Sequence, residues 1–197
     1  MWPRTLTICA WMIAAAGCAT QVTYDYSIEP DPRRAEYMVG PADVLKINVW
    51  REPELSVEAR VRPDGTITMP LIGDIQAAGL PLSKIRAKIA AGLAAFVKAE
   101  NLQVTIALVS ATSYQFTITG NVEKNGSFTP ANYITVLEAV TMAGGPNRFA
   151  SSEKTFIIRG SASGTPRRIP VNIDQLRSGK QLEQNIVVLP GDIIVVP

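Results

Sequence analysis

The sequence predicts an α/β (α+β) fold built as two small units. Several segments alternate apolar and polar residues, which is the period of a half-buried strand. Other segments repeat apolar residues at helical spacing, and glycine, proline and asparagine turn signals separate them. The 197 residues are 47% hydrophobic and 18% charged, which is enough apolar material for one substantial core or two small ones.

The first unit begins with two strands. Apolar residues alternate with polar ones over 45–49 and again over 57–61. The segment Arg62–Gly65 follows, in which proline presets φ and glycine supplies a positive φ. We therefore expect the chain to reverse there into a hairpin strand that carries Ile67 and Met69.

An amphipathic helix is predicted over 82–97. Its apolar stripe, expected to face the core, comprises Leu82, Ile85, Ile89, Leu93 and Phe96. Period-two alternation returns over 102–108. The first unit is therefore predicted as strand, hairpin, helix and strand, with the helix closing over one face of a small sheet.

The second unit opens with a strand over 114–118, followed by the strong hairpin pair Asn125–Gly126. A helix should begin at Thr135, because Thr135 and Glu138 have capping-box spacing. Glycine and proline at 144–146 should end that helix.

Three further strands complete the second unit. They are predicted near 155–159 and 167–171, around a loose glycine- and serine-containing loop, and over 193–196. A Pro-x-Asp sequence precedes an apolar strand twice, at Asp43 and at Asp192. We expect both carboxylates to accept backbone N–H groups within turns, and this echo suggests that strand 44–50 packs beside the last strand.

The composition excludes several kinds of chemistry. There is no histidine, so the usual general base and the commonest metal ligand are missing. Ser151 and Lys154 have S-x-x-K spacing, but the companion motifs of that catalytic pair are absent. We expect no catalytic residue, cofactor or metal. The charge of +2 is spread along the chain without a basic stripe, so nucleic acid is not an expected partner.

The first residues are typical of a secretory signal. Arg4 is the only charge in 1–17, and an apolar run shorter than a membrane span follows it. Ala15–Gly17 directly before Cys18 resemble the lipobox of bacterial lipoproteins, in which the cysteine is lipidated. The alternative is a plain secretory signal with an incidental cysteine. Residues 18–36 are polar, contain proline and are predicted to be a flexible tether.

Six side chains are candidates for ligand contact. Trp50, Tyr114 and Tyr133 present ring faces that suit the apolar faces of sugars, although core packing is the more frequent role of aromatic residues in strands. Arg159, Arg167 and Arg168 can form a basic patch on one hairpin, suited to an acidic polymer. A solvated edge strand protected by charge explains the arginines equally well.

Two sets of motifs resemble a known family, the bacterial polysaccharide export proteins (outer-membrane polysaccharide export, or auxiliary, family). The first set is Tyr37–Leu45, Arg62–Ile67 and Pro70–Gly73. The second set is similar to the SLBB β-grasp domain of these proteins and comprises Gly120–Val122, Gly126, Leu137, Ala143–Gly145 and Leu189–Asp192. Residues 182–192 look most like the short exopolysaccharide export lipoproteins found with exosortase systems.

The resemblance implies a division of the chain and a role for each part. Residues 1–17 would be a lipoprotein signal peptide and 18–36 a tether, followed by the export domain (37–110) and the SLBB β-grasp domain (111–197). The family's role is non-enzymatic export of exopolysaccharide by a homo-oligomeric ring, fed by an inner-membrane polysaccharide co-polymerase or chain-length regulator. Lipidation would place the protein on the periplasmic side of the outer membrane.

Long members of the family continue into a C-terminal helix that lines a pore, whereas this sequence stops at Pro197. The expectation is therefore a periplasmic ring or adaptor that works with a separate outer-membrane conduit. Two alternatives remain open. One is a β-grasp module that binds a saccharide or cell-wall ligand without transporting it, and the other is a hydrolase with two carboxylates.

Overall fold

The structure is a computed structural model, and it describes residues 24–98, 102–160 and 164–197. In the first unit it places the elements β1 (Val44–Val49), β2 (Val57–Arg60), β3 (Thr66–Met69), β4 (Gly73–Gln76), α1 (Leu82–Leu93) and β5 (Val104–Ser110). An antiparallel sheet has the order β2-β1-β5, and β3 and β4 form a separate ribbon. Helix α1 buries Ile85, Ile89 and Leu93 completely, as its periodicity predicts.

Two predictions in the first unit need correction. The turn at 62–65 forms, since Gly65 N–H donates to the Arg62 carbonyl at 2.9 Å. However, β3 pairs forward with β4 rather than back with β2, because a second turn with positive φ at Leu71 and Gly73 follows it. Helix α1 ends at Leu93, before the predicted 97, and Phe96 is 59% exposed rather than part of the core.

The second unit places β6 (Phe116–Gly120), β7 (Gly126–Phe128), α2 (Val136–Met142), β8 (Thr155–Arg159), β9 (Arg167–Val171), α3 (Ile173–Arg177) and β10 (Ile193–Val196). One sheet has the order β7-β6-β10-β8-β9. The reversal predicted near Asn125–Gly126 forms as the β6–β7 hairpin, although Gly126 already belongs to β7 and pairs with Ile118. The helix capped by Thr135 and the strands 155–159, 167–171 and 193–196 are confirmed. Helix α3 was not predicted.

The expected pairing of the first and last strands is wrong. Strand β1 lies between β2 and β5 in one sheet, and β10 lies between β6 and β8 in the other, so both edges of each strand are occupied. The repeated Pro-x-Asp sequence therefore reflects a shared turn. Asp43 accepts from Gly40 N–H at 2.9 Å, and Asp192 accepts from Leu189 N–H at 2.7 Å, which confirms the structural role predicted for both.

Part of the predicted tether is docked. Residues 24–34, hereafter the N-terminal strap, contain two short 3-10 helices and lie against the second unit. Tyr26 donates its hydroxyl to the Pro170 carbonyl at 2.7 Å, and the Glu29 side chain is only 1% exposed. The carboxylate of Glu29 therefore pairs this part of the predicted tether with two arginines of the sheet, Arg159 and Arg167.

Candidate functional site

A surface cleft lies where the chain leaves β1. Trp50 directly follows that strand and is 59% exposed. The cleft has a volume of about 380 Å³, and its lining residues are Asn48, Val49, Trp50, Arg51, Glu52, Pro53, Ser56, Gln103 and Thr105. We call it the Trp50 cleft.

Hydrogen bonds of the backbone and of the Ser56 hydroxyl hold the loop of the Trp50 cleft in place. Trp50 N–H donates to the Gln103 carbonyl at 2.9 Å, which extends the pairing of β1 with β5 by one residue. The Ser56 hydroxyl accepts from Val49 N–H at 3.0 Å and donates to the Glu52 carbonyl at 3.2 Å. The indole is therefore presented to solvent by a loop tied at several points.

Arg51 adopts a left-handed conformation with φ of 61°. For a residue other than glycine this conformation costs roughly 1–2 kcal/mol. The strained residue lines the cleft and directly follows Trp50 in the chain, and strain of this kind is concentrated at functional sites.

The polar groups of the cleft come from both strands. Asn48 and Thr105 are directly opposite each other in the β1–β5 register, on the solvent face of the sheet. Gln103 adds a second amide, while Arg51 and Glu52 carry opposite charges. An aromatic face surrounded by amide and hydroxyl groups can bind a ring that has one apolar face and polar edges.

A second cavity of about 330 Å³ adjoins the Trp50 cleft. The two share Thr105, and the second cavity also includes Glu36, Tyr37, Ser83 and Arg86. Ser83 donates its hydroxyl to Glu36 at 2.6 Å, so polar side chains continue along the β5 side of the first unit.

The two candidate tyrosines lie at the junction of the units. Tyr114 is 2% exposed, donates its hydroxyl to the Val188 carbonyl and accepts from Ile134 N–H, each at 3.1 Å. Its ring meets Tyr133 edge-on, with centroids 4.8 Å apart. Burial raises the pKa of both hydroxyls. Tyr114 is therefore a core residue, and Tyr133 is half-buried beside it.

Asp43 joins the two units, a role that the sequence analysis missed. Its carboxylate is fully buried and accepts from Tyr37 O–H at 2.9 Å, from Ser113 N–H at 2.7 Å and from Ser113 O–H at 2.9 Å, besides Gly40 N–H. The Pro-x-Asp sequence indicated the turn. Nothing in it pointed to Ser113, which is distant along the chain.

Arg159 does not belong to an exposed basic patch. It is 3% exposed, and its guanidinium donates to Asp192 at 2.6 Å, to Glu29 at 2.7 Å and to the Val187 carbonyl at 2.8 Å. Desolvation alone would lower the pKa of Arg159, but the hydrogen bonds and charges of Asp192 and Glu29 outweigh it and raise the pKa. Two carboxylates balance this buried charge.

Arg167 and Arg168 lie on the neighbouring strand. Arg167 is directly opposite Arg159 and contacts Glu29 at 3.2 Å. Arg168 lies over the Phe156 ring, 4.0 Å from its centroid. The hairpin brings the three arginines together as expected, but Glu29 of the strap contacts two of them.

The remaining sequence predictions concern lipid, metal and membrane. Cys18 lies outside the described residues. Among residues 24–98, 102–160 and 164–197 no cluster of side chains is arranged to hold a metal ion. Over the same ranges, no helix combines the length and apolarity that crossing a bilayer requires.

Comparison with known proteins matches two family models in succession. The model described as polysaccharide biosynthesis/export protein matches residues 31–109, and the SLBB domain model matches residues 115–170. The first range runs from the strap to within one residue of the end of β5, and the second covers the chain from the start of β6 into β9.

Three curated relatives are similar to this chain. The EPS I polysaccharide export outer membrane protein EpsA of Ralstonia nicotianae is 27% identical over 195 residues, covering 80% of this chain and 51% of EpsA. The exopolysaccharide production protein ExoF of Rhizobium meliloti is 28% identical, covering 62% of this chain and 31% of ExoF. The polysialic acid transport protein KpsD of Escherichia coli is 25% identical, covering 74% and 25%.

This chain spans about half the length of EpsA and less of the other two relatives. The export model and the SLBB model follow one another along it, each over a unit that has its own sheet and its own hydrophobic cluster. The chain therefore carries a polysaccharide biosynthesis/export domain over 31–109, followed by an SLBB domain over 115–170.

Proposed function

We propose that this protein is a non-enzymatic component of exopolysaccharide or capsular polysaccharide export across the periplasm and outer membrane. The observation that carries the proposal is the succession of the export and SLBB matches over two separately packed units. The relatives EpsA and KpsD, whose names state export and transport of polysaccharides, support the same role.

The proposal extends to location and partners. Cys18 would carry the lipid that anchors the protein to the periplasmic side of the outer membrane; without lipidation the protein would be periplasmic. It would act as a homo-oligomeric ring or adaptor between an inner-membrane polysaccharide co-polymerase, which regulates chain length, and a separate outer-membrane conduit. The lipobox resemblance before Cys18 and the match of residues 31–109 to the export model support this arrangement.

A deletion strain tests the proposal. Exopolysaccharide is measured in the medium and in the periplasm, with the strain resupplied with the natural chain or with Cys18→Ala. We expect the polymer to disappear from the medium on deletion and to return with the natural chain, while Cys18→Ala fails to restore it. Unchanged secretion in a strain without a second homologue would contradict the export role.

The exposed Trp50 cleft favours one second candidate, a saccharide-binding module without a transport role. The two candidates differ in assembly, which light scattering of the purified, detergent-solubilised protein measures. A closed homo-oligomer favours export, and a monomer that binds sugar saturably favours recognition alone.

A further inference from the structure

Strand alternation leaves a large aromatic ring, that of Trp50, on the solvent side of β1, two residues after the exposed Asn48. The apolar residues of β1 that precede it, Leu45, Ile47 and Val49, are at most 3% exposed, whereas Trp50 is 59% exposed. Leaving an indole in water forgoes the stabilisation of about 1.5–3 kcal/mol that burial of a large apolar side chain provides. A loop tied through Ser56 and Gln103 and strained at Arg51 nevertheless holds it outward.

The surroundings of the indole indicate what it contacts. Asn48, Gln103 and Thr105 supply uncharged hydrogen-bond donors and acceptors. The positive charge of Arg51 and the negative charge of Glu52 sum to zero. A pyranose has C–H groups on one face and hydroxyls at its edges, so the indole matches the face and the amides match the edges. Because the cleft carries no net charge, it does not select for an acidic sugar.

We propose that the Trp50 cleft binds a neutral pyranose unit of the glycan. Trp50 stacks on the apolar face of the ring, and Asn48 and Gln103 hydrogen-bond to its hydroxyls. The glycan continues past Thr105 into the adjoining cavity beside Ser83. The identity of the glycan as exported exopolysaccharide rests on the proposed function, whereas the chemistry of the cleft stands on its lining.

Trp50 supplies its own spectroscopic probe. The chain has three tryptophans, at positions 2, 11 and 50. In the full chain carrying Trp2→Phe and Trp11→Phe, all tryptophan fluorescence comes from Trp50. The titrant is oligosaccharide released by mild acid hydrolysis from the exopolysaccharide of the producing strain, before and after chemical reduction of its carboxylates to alcohols. We expect a saturable fluorescence change with both preparations. No change, or a change lost on carboxylate reduction, would overturn the proposal.

A variant series tests the stacking contact by calorimetry. Trp50→Leu should weaken oligosaccharide binding by at least about tenfold, and Trp50→Phe should retain part of the affinity because a ring face remains. Phe96→Leu is the matched control, since Phe96 is also 59% exposed but lies outside the cleft. Equal affinity of Trp50→Leu and the natural chain, with unfolding midpoints unchanged, would refute the contact.

The experiments can overturn the export role and the sugar-binding role of the Trp50 cleft independently of each other. If deletion of the gene leaves secretion unchanged while Trp50→Leu loses binding, the cleft binds sugar and the export role is wrong. If deletion abolishes secretion while Trp50→Leu binds normally, the export role stands and the cleft is not the contact site.

Discussion

At the residue scale, one short turn serves two different long-range contacts. Asp43 and Asp192 each accept the N–H of the residue three positions earlier, and the residue before each has a positive φ, 71° at Ala42 and 82° at Gly191. Each carboxylate is buried and then binds a distant partner, Ser113 for Asp43 and Arg159 for Asp192. Burial makes these extra contacts necessary because unpaired carboxylate oxygens are costly away from water.

Asp43→Asn should lower the free energy of unfolding by about 2 kcal/mol. One carboxylate oxygen accepts from Ser113 N–H and the other from Gly40 N–H, so an amide in either orientation places its NH₂ against a backbone donor. Urea unfolding measures the change. Asp64→Asn is the control, because Asp64 is exposed. The amide oxygen can still accept from Thr66, and the ion pair with Arg62 that the variant loses lies in solvent, so its change should stay within about 1 kcal/mol.

Alkaline titration of the tyrosines gives a second residue-scale prediction. Burial raises the pKa of every tyrosine in the chain, namely Tyr24, Tyr26, Tyr37, Tyr114 and Tyr133, and that of Tyr24 reaches about 12. A pKa that is higher in the folded state than in the unfolded state means that folding favours the protonated tyrosine. The stability that these residues contribute is therefore complete below the unfolded pKa of 10.0, and it is lost as pH rises through the pKa values of the folded state.

We therefore expect phenolate absorbance to appear above pH 10.0, together with loss of the circular dichroism of the fold. A tyrosine half-ionised at the ordinary value of 10.0, in protein whose circular dichroism is native, would contradict the burial described for these side chains.

At the element scale, β10 organises the second unit. It is the central strand of five, parallel to β6 and antiparallel to β8, although it is the last strand in sequence. Its end passes close to Gly120, whose φ is 105°, and a Cβ at that position would overlap the Val196 carbonyl oxygen. Glycine at 120 therefore permits the final pairing of the sheet.

Gly120→Ala should destabilise the protein by about 3 kcal/mol or more, because conformational strain and a backbone clash add. Gly79→Ala separates the two effects: φ at Gly79 is 78°, but a Cβ there meets no atom within 4 Å. Its cost should be about 1–2 kcal/mol. Thermal and urea unfolding compare the variants, and equal losses would show that β10 does not approach Gly120 as described.

At the scale of the whole molecule, the N-terminal strap connects distant parts of the chain. It precedes the first unit in sequence but contacts the second through Tyr26, and through Glu29, which pairs with Arg159 and Arg167. Asp43 and Ser113 join the units at their junction. The second unit is therefore contacted both by the strap that precedes the first unit and by Asp43 within the first unit.

Glu29→Gln should release the strap. The amide leaves Arg159 and Arg167 without the carboxylate that they share, so the strap should open more often. Trypsin should then cleave after the exposed Arg33 and Arg34 at least about tenfold faster, which corresponds to a change of about 1.4 kcal/mol in the free energy of opening. Asp25→Asn is the control, since exposed Asp25 contacts only Ser27 within the strap. Equal cleavage of both variants would mean that Glu29 does not hold it.

The sequence by itself determined the elements whose signals are local. Strands 155–159 and 167–171 agree with the structure residue for residue, and the helix capped by Thr135 begins where its spacing predicts. Trp50 also stood out as a ring suited to sugar, but the facing Gln103 and Thr105 join it only through the pairing of β1 with β5.

The tertiary structure alone decided which surfaces are exposed and which charges are buried. Arg159 was expected beside Arg167 and Arg168 in a charged patch, yet Asp192 and Glu29 withdraw it from solvent. Phe96 continued an apolar stripe, yet the helix ends before it. Periodicity and turn chemistry depend on neighbours within a few residues, whereas burial depends on partners that only the folded chain brings together.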